Sequence, residues 1–180
     1  MKLQKVASFL ILIFLSACGV GYQTVTHDDA DGCHIVHRTQ LNKVFAERND
    51  LGMYGQISID GEFYEPKMLT DAEHSTLVIS SITFPGHQIQ TDSSFVLTID
   101  DKSYIFSSMH SQYKSELVDM ARSPYLLESA KYEVDKNIFR LLGNAKSISY
   151  ILKGKERILN GTMSTINISR FNMFYEEHVR

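Results

Sequence analysis

The chain has 180 residues, 18 basic and 21 acidic, for a formal charge of −3, with 43% apolar residues and no tryptophan. That length suits one domain with a real core and is too short for two comfortable ones. The slightly acidic balance offers no basic stripe to nucleic acid, and the ordinary apolar content argues against a largely disordered chain.

The first elements are a cationic start and an apolar run. Lys2 and Lys5 precede ten uninterrupted residues of secretory h-region, Val6 to Leu15, followed by Ser16-Ala17-Cys18-Gly19. A permanent transmembrane helix needs about 20 residues, so this run is too short to be one. Leu15-Ser16-Ala17-Cys18 resembles the lipobox of bacterial lipoproteins. The resemblance implies that residues 1–17 are a signal peptide, that the chain is cut before Cys18, and that the Cys18 thiol carries a diacylglycerol. Gly19 in place of an Asp after the cysteine implies sorting to the outer membrane rather than the inner one. The mature chain would then carry 16 basic and 21 acidic residues, a formal charge of −5. With Cys18 committed to lipid, Cys33 stands alone, and the fold must rest on its core without an internal disulfide.

Residues 18–32 have little apolar periodicity and end in Asp and Gly turn formers, which predicts a flexible tether between the anchor and a single domain over 33–180. His34 to Leu41 alternates, with Ile35, His37, Thr39 and Leu41 on one side, as a half-buried strand does. Asp60-Gly61 lies between two apolar-polar segments and predicts a tight hairpin turn. Thr76 to Phe84 is rich in β-branched residues and stops at Pro85-Gly86, a strand ending in a turn. Phe95, Leu97 and Ile99 alternate up to Asp100-Asp101-Lys102, and Tyr104-Ile105-Phe106 returns, a second hairpin. Glu116 to Arg122 reads as a short helix halted near Pro124. Asp135 can cap a helix bearing Ile138, Phe139, Leu141 and Leu142, with Gly143-Asn144 as its stop. Ser147 to Leu152 and Arg157 to Leu159 form a hairpin about Lys153-Gly154-Lys155, and Asn160-Gly161 predicts a further turn. Ile168, Phe171, Phe174 and Tyr175 fall at helical spacing. The fold class expected is mainly β or α+β: an antiparallel sheet or small β-sandwich with one or two C-terminal helices.

The densest chemistry runs from His27 to His37, where three His, three Asp and Cys33 offer nitrogen, oxygen and sulfur donors. Cys33, His34 and His37 are the candidate metal ligands. On a strand, Cys33 and His37 share a face about 13 Å apart, too far for one tetrahedral ion. Asp29-x-Asp31-Gly32 matches part of a calcium loop, but His27 and Arg38 occupy its first and last positions, which excludes an ordinary EF-hand. The competing reading of the stretch is a solvated acidic tether.

No catalytic residue is assigned, because the chain lacks a Gly-x-Ser-x-Gly elbow, a phosphate loop, a dinucleotide fingerprint and a His-Glu-x-x-His motif. No cofactor is implied. Aromatic residues including Tyr54, Phe63, Tyr64, Phe95, Tyr104, Phe106, Phe171, Phe174 and Tyr175 sit at core spacing. Two functions stay open: a lipid-anchored envelope protein that binds or assembles with an envelope partner without catalysis, facing the periplasm, or a small hydrolase or metal-dependent enzyme whose His residues converge in the fold.

Overall fold

A computed structural model describes residues 23–48, 54–83, 88–90, 92–108, 114–120, 123–155 and 158–180. The expected Cys18 anchor and the Pro85-Gly86 turn lie outside these. Among the described residues, eleven strands form two antiparallel sheets: β1 Gln23–Asp28, β2 His34–Gln40, β3 Lys43–Arg48, β4 Tyr54–Pro66, β5 His74–Thr83, β6 Phe95–Ile99, β7 Lys102–Phe106, β8 Lys114–Met120, β9 Ser123–Val134, β10 Ile148–Lys153 and β11 Ile158–Thr162. Two helices, α1 Asn137–Asn144 and α2 Thr165–Phe174, belong to the C-terminal third, and α2 runs on into a π turn over Tyr175–Val179. The mainly β fold with two sheets and two helices agrees with the reading of the sequence.

The larger sheet has the order β1-β2-β4-β5-β9-β8, and β3 also pairs with β4. Since β5 covers one edge of β4, β2 and β3 share the other, pairing with its second and first halves. The chain passes between them at Leu41, in the left-handed region at φ 62°. The smaller sheet has the order β11-β10-β6-β7.

Register decides which side chains face inward. Ile59, Ile79 and Ala130 lie abreast, as do Gly61, Leu77 and Tyr132, then Phe63, Ser75 and Val134. The apolar members of these rows join one core with Phe95, Leu97 and Ile99 of β6 and Ile148, Tyr150 and Leu152 of β10. Phe95 meets Tyr132 at 5.2 Å between ring centroids, and Tyr132 Oη shares a 2.8 Å hydrogen bond with Ser94 Oγ. Burial pushes the Tyr132 hydroxyl up to about 12.

Both helices form where their apolar spacing predicts. Asp135 accepts from the Asn137 N–H at 2.7 Å, and Ile138, Phe139 and Leu142 are buried. Ser164 caps α2 in a box completed by Asn167, whose Nδ2 donates to Asn42 Oδ1 at 2.8 Å and Lys43 O at 2.9 Å. One residue therefore starts α2 and ties it to the β2–β3 junction.

Four local expectations are corrected. Asp60-Gly61 makes no turn but lies mid-strand in β4, where a Cβ on Gly61 would meet Phe139 Cε1 at 2.7 Å and Phe174 Cε1 at 3.1 Å. The glycine makes room for the helix rings. Asn160-Gly161 likewise lies within β11, and a Cβ there would meet Tyr150 Oη at 2.6 Å. Residues 114–120 are strand β8, paired with β9, so the helix expected from Glu116 does not form. Pro124 lies beyond the last β5 partner of β9, Thr83↔Leu126, and its missing N–H removes nothing from that side. The tether expected over 18–32 gives way at Gln23 to β1, an edge strand in register with β2 from Gln23↔Gln40 to Asp28↔Ile35.

Candidate functional site

The β1–β2 hairpin carries the residues singled out for metal binding and distributes them over two faces. Its loop closes with Asp29 N donating to His34 O and Gly32 N to Asp29 O, both at 2.9 Å, with Gly32 at φ 74°. Asp29 Oδ1 accepts from Ala30 N at 2.8 Å and Asp31 Oδ1 from Cys33 N at 2.9 Å, so both carboxylates are oriented by their own turns. Asp29, Asp31 and His34 each bring one donor atom within 4.8 Å of the others. Cys33 lies beside them, its Sγ 3.8 Å from Asp31 O. Asp31, then burial, Asp71 and Asp29 hold the thiol above its ordinary value. His34 and Asp31 are thus joined by Asp29, while His37 is not part of the group.

His37 lies three residues on and faces the other way. Its ring bridges Thr26 Oγ1 at 3.1 Å and Glu65 Oε2 at 2.9 Å, and stacks on His178 at 4.5 Å and 17°. With Glu65, Glu176, Glu177 and Arg180 the two rings line a polar cleft of about 400 Å³. Burial, then the neighbouring His37, holds His178 below its ordinary value. Thr26, His37 and Glu65 make a hydroxyl–imidazole–carboxylate string, but the flat face of the imidazole is taken by His178. A cross-strand ladder explains the arrangement, since Thr26 and His37 are register partners.

The face of the large sheet away from the core carries a charged network. Glu62 is buried and accepts from Lys131 Nζ at 2.6 Å, Tyr64 Oη at 2.9 Å and Thr76 Oγ1 at 3.0 Å, and Arg38 Nη1 lies 3.3 Å from its other oxygen. Burial pushes this carboxyl up, but the Lys131 hydrogen bond and charge and the Arg38 charge outweigh it and leave it below its ordinary value. Next to it Asp60 fills the gap where β2 and β3 part, accepting from Asn42 N at 3.0 Å and Thr39 Oγ1 at 3.2 Å. Burial exceeds those bonds and holds Asp60 above its usual range. Arg38 and Asp60 border a groove of about 270 Å³ with Leu41, Ile82 and Leu127 on its apolar side. His74 stacks on Tyr64 at 3.9 Å on the same face.

The outer face of the smaller sheet is different in kind. Ile105, Val96 and Ile151 lie abreast across β7, β6 and β10. Ile105 is 66% exposed and Ile151 39%, and Ile158, paired with Lys153 on β11, is 62% exposed. A solvated sheet face is ordinarily polar. Here exposed Ile105 and Ile151 flank half-buried Val96 in an aliphatic row.

Sequence patterning located the His27–His37 stretch and the aromatic core, including Phe63, Phe95, Phe171 and Phe174. It missed Glu62 and Asp60, whose partners come from separate strands. Alternation in β6 and β10 carried a signal for the exposed row, because Val96 and Ile151 are apolar where a polar residue is due. Among the described residues no helix is long and apolar enough to cross a membrane. No family model, curated protein or solved structure matches this chain.

Proposed function

We propose that this chain is a lipid-anchored protein of the bacterial envelope whose β-rich domain is a non-enzymatic binding or assembly module facing the periplasm. The exposed Ile105, Ile151 and Ile158, with half-buried Val96 between the first two, carry the binding part of this reading, since large apolar side chains gathered on one solvent-facing sheet surface mark a place where another surface belongs. The lipobox-like Leu15-Ser16-Ala17-Cys18 supports the anchor. Only four residues lie between Cys18 and the start of β1 at Gln23, five chain steps that reach at most about 17 Å. Such a short leash holds the domain against the headgroups and raises its effective concentration for a partner in the same membrane.

The test has two arms. Cys18→Ser is expected to abolish processing and membrane partition, and unchanged partition overturns the anchor. In intact cells, a photo-crosslinker on the small sheet is expected to capture one envelope protein. Ile105→Asp with Ile151→Asp should abolish that capture while circular dichroism stays native. Capture that survives the double variant overturns the assignment of this face.

A further inference from the structure

The tip of the β1–β2 hairpin gathers imidazole and carboxylate donors about a buried nitrogen that has no hydrogen-bond partner. His34 Nε2 lies 3.1 Å from the carbonyl oxygen of Ala72. A carbonyl only accepts, so Nε2 carries the proton and in the neutral ring Nδ1 presents a lone pair. That Nδ1 is buried without a hydrogen-bond partner, its closest carboxylate oxygen being Asp29 Oδ2 at 3.9 Å. Buried polar nitrogens are rarely left this way. A metal-ligating histidine ordinarily donates its other ring nitrogen to a carbonyl or carboxylate, as Nε2 does here. Beside the cluster, Asp71 Oδ2 is a second buried polar atom without a partner, in a carboxylate close enough for its charge to act on Cys33.

We propose that Asp29, Asp31 and His34 bind a divalent transition-metal ion of the zinc class, with His34 Nδ1 and one oxygen from each carboxylate as ligands. Each of these donors already lies within 4.8 Å of the others. Ligands of a tetrahedral zinc ion sit about 3.4 Å apart, so the His34–Asp29 pair need close by only about half an ångström. The backbone bonds that hold Asp29 Oδ1 and Asp31 Oδ1 leave the second oxygen of each free to make that movement. Asp28 is kept out of the set by its 2.8 Å ion pair with Lys67. Asp31 is exposed, which gives the ion a way in. The imidazole nitrogen favours a borderline ion over calcium or magnesium, which take oxygen ligands. The inference is independent of the membrane anchor and of the partner surface, since the hairpin tip and the small sheet share no residue.

The full chain, purified in detergent and stripped with a chelator, is titrated with Zn²⁺ against a competing fluorescent chelator. One ion per chain is expected. Loss of an outer-shell partner typically weakens a site 10–100-fold, so His34→Ala should weaken this one at least about 100-fold. Asp29→Asn and Asp31→Asn should each weaken it at least about tenfold, and His37→Ala should leave it unchanged. Should His34→Ala fail to fold, the near-isosteric Asp29→Asn/Asp31→Asn double variant decides. Absence of saturable one-to-one binding overturns the proposal. So does binding that survives His34→Ala, binding lost in His37→Ala, or displacement of Zn²⁺ by millimolar Ca²⁺.

Discussion

Gly61→Ala isolates the contact that joins the helices to the large sheet. The backbone of Gly61 lies outside the positive-φ region, so alanine fits the local geometry and only the space above it is at issue. The new methyl would stand 2.7 Å from Phe139 Cε1 and 3.1 Å from both Phe139 Cζ and Phe174 Cε1, whereas carbon–carbon contacts are favourable at about 3.5–4.0 Å. Phe139 and Phe174 are fully buried, with ring centroids 5.3 Å apart at 86°, and Phe171 stacks on Phe139 at 6.4 Å. Neither ring can retreat into solvent, so the cost belongs at the upper end for an overpacked core, about 3 kcal/mol. Lost freedom of the unfolded chain returns about 0.4–1 kcal/mol. A net destabilisation of about 2 kcal/mol follows, read as a lower urea midpoint at constant slope and a melting temperature lower by about 4–8 °C. In the Gly61→Ala background, Phe139→Leu should cost far less than it does alone, because the smaller side chain relieves the clash. A neutral or stabilising Gly61→Ala, or additive behaviour of the pair, would refute this account of the glycine.

Three further outcomes follow from the buried polar groups. Asp60→Ala leaves the Asn42 N–H and Thr39 hydroxyl unpaired and should cost about 2–3 kcal/mol in denaturant unfolding, whereas Asp60→Asn keeps the acceptor, removes a buried charge and should stay within about 1 kcal/mol of the parent; equal loss in both would count against the junction role. Asn167→Ala removes half of a capping box and the bonds to Asn42 and Lys43, and should cost about 2–3 kcal/mol, with the loss of protection in hydrogen exchange concentrated in α2. Glu62 has a folded-state pKa below its unfolded value, so its stabilisation is complete above that unfolded value and is lost as pH falls through the lowered one. Glu62→Gln should therefore flatten the fall in stability as pH drops below the ordinary glutamate value of 4.5, and cost about 2–3 kcal/mol at neutral pH. That is less than for a fully buried pair, because Lys131 and Arg38 are 32% and 30% exposed.

Local pattern was sufficient where one strand or helix decides its own fate. The β6–β7 hairpin is such a case: Phe95, Leu97 and Ile99 alternate up to Asp100 and Asp101, which adopt φ 45° and 70° at the turn. Helix α1 is another, because the Ile138, Phe139 and Leu142 face and the Asp135 bond are all contained within eight residues. Pattern misled at Gly61 and Gly161, where the glycine answers to a ring arriving from another element and not to the backbone of a turn. It also misled at Gln23 to Asp28, a polar segment that becomes a strand because β2 supplies an open edge for it. Glu62 was illegible for the same reason: Arg38, Tyr64, Thr76 and Lys131 come from β2, β4, β5 and β9, and only the sheet places them on one face.

The candidate metal ligands show how far composition can carry a site. The His27–His37 stretch was dense in donors, but strand alternation sends His34 and His37 to opposite faces, and the hairpin turn brings Asp29 and Asp31 back to His34 alone. Under the anchored reading the same hairpin has a direction. Gln23 and Gln40 pair at the end next to Cys18, and Asp28 pairs with Ile35 at the end next to the Asp29–His34 loop. Five steps of about 3.3 Å between the first and last of the six residue pairs set these ends some 17 Å apart. The proposed ion would therefore sit away from the headgroups, on the periplasmic side of a domain held close to the membrane, and a soluble chelator should reach it as readily in membranes as in detergent. Protection of the metal from chelator by membrane insertion would place the hairpin tip toward the bilayer and reverse that orientation.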